Sequence, residues 1–150
     1  MSSSSDDDDE RPTDPNTGWV RDHLHRYVAT DGADGHEWRG VPTLLLTTRG
    51  RRSGRLRRTP LIYGRDGDSY VVVASYGGSP AHPDWYFNLS DEPEVEIQVG
   101  EDVMPARAAT AEGENRERLW GQMTGIWPDY DKYQARTDRV IPIVTLEPAA

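Results

Sequence analysis

Six arginines stand within the ten residues Arg49–Arg58 (RGRRSGRLRR), and Gly50 and Gly54 bracket the triplet Arg51-Arg52-Ser53. A turn of this composition can aim backbone N–H groups, two guanidinium forks and a hydroxyl at one volume, which is the donor set of an anion site. Its spacing is neither that of a P-loop nor that of a GxGxxG dinucleotide turn. Arg57 and Arg58 follow on an extended segment, where a period of two sends them to opposite faces. A second group is Ala74–Pro80 (ASYGGSP). Ser75 there has the chemistry of a hydrolase nucleophile, but the GxSxG elbow is absent, and His82 and Asp84 nearby do not make a triad. The remaining readings are a plain turn, or Ser75 and adjacent amides hydrogen-bonding a flat ligand. A third group is aromatic. Trp85-Tyr86-Phe87-Asn88 either fills a core or offers a ring to a planar ligand. Trp127, Tyr130 and Tyr133 recur at i, i+3 and i+6, so the two tyrosines share a helix face. They either cap the core or line an apolar pocket and present phenols to a substrate. His23, His25, His36 and His82 have no ligand spacing and there is no cysteine. No metal site, disulfide or thiol chemistry is expected.

These groups need a scaffold, and the pattern predicts one. Apolar residues Val20, Leu24, Tyr27 and Val28 predict a helix over about Asn16–Thr30, with Trp19 beside its buried face. Asp31–Pro42 reads as a loop. Strands are predicted at Thr43–Thr48, Arg57–Tyr63, Ser69–Ser75, Glu94–Val99, Val103–Ala109 and Val140–Leu146. The turn GRRSG joins the first two, and Asp66-Gly67 marks a hairpin. A short helix is predicted near Pro83–Leu89. Another is predicted from a Thr110 cap to about Gly125, and a third over Asp129–Arg136. About six strands joined by tight turns point to a mainly β (α+β) chain with an antiparallel sheet or barrel and peripheral helices, not to βαβ units.

The 150 residues fit one domain over 14–150, preceded by a Ser/Asp-rich acidic tail, Met1–Thr13, that is expected to be disordered. The longest apolar run is Val71–Ala74, too short to span a bilayer. The N-terminal residues carry no apolar leader, so a cytoplasmic location is expected. Peripheral contact with the inner membrane face through Trp19 and Tyr27 of the first helix is the further expectation. Trp38–Arg65 contains eight arginines and no acid, which leaves −17 for the remainder of a chain whose total is −9. Such an imbalance predicts a small anionic ligand at the basic segment. A nucleic acid would be repelled by the rest of the surface.

The runs TLLLTTRGRRSGRLRRTPLIY, VVVASYGGSPAHPDWYFNL and WPDYDKYQARTDRVIPIVTLEP resemble the deazaflavin-dependent nitroreductase family over about Gly18–Pro148. The resemblance implies a split β-barrel related to flavin-binding pyridoxamine oxidases. It implies coenzyme F-420, a deazaflavin that is flat at one end and polyanionic at the other. It also implies hydride transfer from the reduced cofactor to a quinone, an enone or a nitroaromatic. By position, Arg51, Arg52 and Ser53 would hold the phosphate and tail. Arg57, Arg58, Thr59, Pro60, Leu61 and Ile62 would run beside the ring. Val73, Ala74, Ser75 and Tyr76 would contact ring or ribityl chain, and Trp85, Tyr86, Phe87 and Asn88 would complete the groove, with Tyr130 touching it. Ser75, Tyr130 and Tyr133 are the implied catalytic residues, and Ile62, Trp127, Tyr130 and Tyr133 the implied substrate pocket. The family's usual tyrosine stands as Ile62, a Tyr position as Trp127, and a common Lys as Arg52. The rival expectations are FMN as cofactor and a module that binds cofactor or lipid without catalysis. The oligomeric state is not set by any of these residues.

Overall fold

The computed structural model describes residues 25–30, 36–38 and 41–149. The acidic tail, His23 and most of the first predicted helix lie outside the described residues. Within them, residues 25–29 are helical.

Eight antiparallel strands form one curled sheet: β1 (Glu37–Trp38), β2 (Val41–Arg49), β3 (Leu56–Ile62), β4 (Gly64–Asp66), β5 (Ser69–Val73), β6 (Glu94–Val99), β7 (Asp102–Thr110) and β8 (Ile143–Pro148). Among the described residues three helices follow the helical residues 25–29: α1 (Asp84–Asp91), α2 (Gly113–Ile126) and α3 (Asp129–Ala135). The sheet runs β1-β2-β6-β7-β8-β5-β4, and β3 pairs with β2 off that path. Mainly β architecture with an open, half-barrel sheet is therefore the fold. Each of the six predicted strands has a counterpart. Two short strands escaped the sequence, because Glu37–Trp38 and Gly64–Asp66 are too brief to show alternation.

Three boundaries moved. The last strand begins at Ile143, not Val140, since Arg139–Pro142 serves as a connector. The strand expected to reach Ser75 ends at Val73, where the chain enters a 3-10 turn at Tyr76–Gly78. Thr110 is no helix cap: it ends β7, its hydroxyl lies 3.0 Å from the Tyr86 hydroxyl, and Glu112 occupies the N-cap position of α2.

The apolar runs explain the layering. In β5, Tyr70 and Val72 face one core cluster while Val71 and Val73 face another, as a period of two requires. The first cluster lines the inside of the curl with Leu44, Leu46, Ile97, Val144 and Leu146. The second lies under α2 and α3, with Leu119, Met123, Tyr130, Ile141 and Ile143. β2 is likewise covered on both faces, because Leu45 packs with Tyr27. Each fully buried Leu contributes about 1.5–3 kcal/mol.

Tyr27 is 0% exposed. Its hydroxyl donates to the Thr43 or Gln98 carbonyl, at 3.1 and 3.3 Å, and accepts from the Gly100 amide at 2.6 Å. It therefore cannot rest in a lipid interface, which corrects that expectation. Trp19 lies outside the described residues. No described helix is long and apolar enough to cross a membrane.

Candidate active site

β2 and β3 form a long hairpin, registered from Thr43 opposite Ile62 to Arg49 opposite Leu56. The hairpin loop is the basic turn. It closes through Gly50 N–H to Arg55 O at 2.7 Å and Gly54 N–H to Gly50 O at 2.8 Å. Gly54 has φ +72°, a conformation that a side chain would oppose. The loop is pinned to α1 by Asn88, which is 2% exposed. The Asn88 Oδ1 accepts from the Arg51 amide at 3.1 Å and from Arg51 Nη1 at 3.3 Å, and Nδ2 donates to Thr48 Oγ1 at 3.3 Å. Arg51 also lies 3.8 Å from Asp84 and over the Phe87 ring.

The implied roles in this turn therefore divide. Asn88 was expected in a cofactor groove. Its buried amide joins turn to helix through those three contacts. Ser53 Oγ accepts from the Arg55 amide and shapes the turn. Arg51 has protein partners for its guanidinium, whereas Arg52, Arg55 and Arg57 stand exposed around it. Arg57 and Arg58 leave on opposite sides of β3, and Arg58 is the more covered of the two. Tyr86 is tied to Thr110, and Trp85 packs against the inner core. Phe87 is the ring of this group that reaches the surface, 36% exposed beneath Arg51.

From the turn, Thr59, Pro60, Leu61 and Ile62 follow along β3, all half-buried. Only one edge of β3 is paired among the described residues, which suits Pro60, a residue without an N–H to give. β3 approaches β5 across the opening of the sheet without a ladder between them. Ile62 ends at the second core cluster, whose rim also contains Trp127 and Tyr133, with Tyr130 beneath. The four residues of the implied substrate pocket are thus brought together. A strand rises about 3.3 Å per residue, so Arg57 and Ile62 stand about 17 Å apart. One end of this strip is cationic and the other apolar and aromatic.

Tyr130 is 4% exposed and contacts the rings of Trp120 and Tyr133 at 6.4 and 6.2 Å. Its hydroxyl has no hydrogen-bond partner among the described residues. Burial, with the neighbouring Tyr133 phenol, raises its pKa far above that of free tyrosine, so it stays protonated. Tyr133 accepts weakly from Trp127 Nε1 at 3.5 Å.

Val73 and Ala74 are buried, and Ser75 is half-buried at the start of the 3-10 turn. Tyr76 has φ +46° and is 63% exposed. A bulky residue in the left-handed region with its ring in solvent is backbone strain of the kind found at functional sites. The turn rests on α3: a Cβ on Gly78 would lie 2.6 Å from the Tyr133 carbonyl oxygen. Ser75 is thereby held on the element that presents Tyr130 and Tyr133.

Sequence reasoning missed Arg139. Its guanidinium reaches four acceptors in the Ser75 segment, and no motif signals that. No group of three or more His, Cys, Asp or Glu among the described residues could hold a metal.

The family model of the F-420H2-dependent quinone reductases matches residues 19–148. The chain belongs to that family. An F-420H2-dependent quinone reductase of Mycobacterium tuberculosis is 41% identical over 131 residues, covering 85% of this chain and 88% of that one. A solved F-420H2-dependent reductase superposes with TM-score 0.66 at 43% identity, covering 71% of this chain and 94% of its own. A second solved structure, described as a domain-swapped dimer, gives TM-score 0.68 at 40% identity over 89% of this chain and 100% of its own. Membership in the quinone reductase family implies a deazaflavin, and the residues present fit one. The strip along β3 matches a long ligand with a polyanionic end and a flat end. The exposed guanidinium groups match the first, and the half-buried β3 residues with the aromatic rim match the second.

Proposed function

We propose that this member of the quinone reductase family is an oxidoreductase that uses reduced coenzyme F-420 to reduce a quinone. The observation that carries the reading is the half-covered strand β3, which runs from the basic turn to the rim formed by Ile62, Trp127 and Tyr133. When bound, the reduced deazaflavin supplies a hydride to an electron-poor acceptor.

The chain's own residues do the rest. Arg52, Arg55 and Arg57 would hold the anionic end by charge-assisted contacts, and Arg51 fixes the turn to α1 through Asn88. Arginine contacts at that remote end would serve to align the flat end of the cofactor, which Thr59–Ile62 and the rim residues would hold. Thr59–Ile62 supply one wall. The Tyr130 hydroxyl is the donor best placed to hydrogen-bond an acceptor oxygen as negative charge develops on it. It lies in an apolar setting, keeps its proton, and has no competing partner among the described residues. Ser75 is the second donor. Tyr133 and Trp127 shape the pocket, and Ile62 leaves room where a tyrosine would project.

The test is a fluorescence titration of the protein with oxidised F-420 and with FMN, followed by turnover with the reduced deazaflavin and menadione. Saturable F-420 binding and menadione reduction are expected. FMN binding in place of F-420 would make this an FMN enzyme. F-420 binding without turnover on quinones, enones or nitroaromatics would make it a binding module.

A further inference from the structure

We propose that Arg139 is a positioning residue that sets the Ser75 turn against the helix bearing Tyr130 and Tyr133. This inference rests on the reading of Ser75 and Tyr130 as donors to the acceptor. The Arg139 guanidinium donates through Nε to Ser79 O at 2.7 Å, and through Nη1 to Ala74 O at 3.2 Å. Nη1 also meets His82 Nδ1 at 2.9 Å, and Nη2 donates to Ser75 O at 2.6 Å. Arginine has only donors, so His82 Nδ1 must accept, and His82 is the neutral ring with its proton on Nε2. All four acceptors lie in the segment from β5 to α1, and they flank the left-handed Tyr76-Gly77-Gly78 stretch.

Arg139 itself is held from the other side. Its carbonyl accepts from Gln134 Nε2 at 2.7 Å, and its amide donates to Thr137 Oγ1 at 3.3 Å. Gln134 Oε1 accepts from the Ile141 amide at 3.0 Å, which fixes the connector between α3 and β8. Gln134 lies on α3, one residue beyond Tyr133. One planar fork therefore ties the carbonyl of Ser75 to the helix of the two tyrosines. Among the described residues the other hydrogen bonds that tie this segment to its surroundings are Ala74 N–H to Pro142 O at 2.9 Å and Arg136 Nη1 to Gly77 O at 3.4 Å, beside the packing of Gly78 on Tyr133; Gly78 N–H to Ser75 O and Ser79 N–H to Tyr76 O close the turn on itself. Four acceptors in fixed directions need the guanidinium. An ammonium at the same place cannot reach them together.

The test compares wild type, R139K and R139A by amide hydrogen exchange, F-420 titration and steady-state kinetics. In R139K, exchange at the Gly78 and Ser79 amides is expected to rise at least about tenfold, with the β5 amides of Val71–Val73 unchanged. With reduced F-420 and menadione, kcat is expected to fall about 10–100-fold while the F-420 affinity moves less than about threefold. Added methylguanidinium, but not methylammonium, should restore part of the R139A rate. Unchanged exchange in R139K would overturn the proposal whatever the activity, and so would unchanged kcat. A fall in F-420 affinity that matches the fall in kcat would also overturn it, by making Arg139 a support of the cofactor wall. A wild-type protein that neither binds F-420 nor reduces menadione would instead overturn the functional reading, and the exchange result would still decide the Arg139 contact.

Discussion

Tyr130 puts the sharpest test at the scale of a single residue. Its hydroxyl has no hydrogen-bond partner among the described residues and is not a fully buried atom, so removing it breaks no hydrogen bond there and strands no buried polar group. Tyr130→Phe should leave stability within about 0.5 kcal/mol of wild type, or raise it, by thermal melts. If the hydroxyl is the donor to the acceptor oxygen, the same variant should lose about 10²-fold in kcat with menadione and keep its F-420 affinity. His82 is the other informative side chain. Burial and the facing Arg139 lower its pKa, so the unfolded chain takes up a proton near pH 6.5 before the folded one does. Stability therefore falls as pH drops below about 6.5 and stops falling once the folded pKa is passed. His82→Asn retains an acceptor for Arg139 without a titrating ring. Urea melts from neutral to mildly acid pH should show a shallower decline in that variant. The sequence displayed Tyr130 through its spacing with Trp127 and Tyr133. It did not display Arg139, whose acceptors lie some 60 positions earlier and are mostly backbone carbonyls that any residue supplies.

Elements carry the site through two junctions. The hairpin turn meets α1 through Asn88, and Asn88→Ala would leave Thr48 and the Arg51 amide short of a buried partner. A loss of about 1–3 kcal/mol is expected in urea unfolding. F-420 affinity should fall with it, because the arginines would no longer be fixed. The Ser75 turn meets α3 through Gly78, where φ is +81° and no Cβ fits beside Tyr133. Gly78→Ala should cost more than about 1 kcal/mol by the same measurement. Thr43–Thr48 was legible as an apolar run because both faces of β2 are buried, and Glu94–Val99 as alternation because one face of β6 is. The turn at Tyr76–Gly78 was legible only as a glycine pair. A tyrosine with positive φ is paid for by tertiary contacts, and local propensity contains no trace of them. Thr110 misled for a related reason: the residue type suits a cap, yet pairing of β7 with β8 carries the strand through it.

Across the whole molecule, charge is segregated. A basic hairpin is set on a chain of net charge −9. Attraction between exposed arginines and a polyanion is screened within about 10 Å at 0.1 M salt. F-420 affinity should therefore weaken as NaCl rises, and Arg52→Ala with Arg55→Ala should both weaken binding and flatten that dependence. Isothermal titration at several salt concentrations reads both effects. The anion site was legible because charge clustering survives any fold. The meeting of the strip's far end with Trp127 and Tyr133 was not, since that depends on how α2 and α3 pack against the sheet. The marginal strand β3 also bears on protein quality control. An extended segment with one side of its backbone unladdered among the described residues invites another chain to add itself there, and Pro60 with the arginines before it are the usual guards against such growth. A ligand seated along β3 would shield the same side and hold the native state by mass action. Cells that make the cofactor slowly would then hold this protein in its most aggregation-prone form, and its abundance would track cofactor supply.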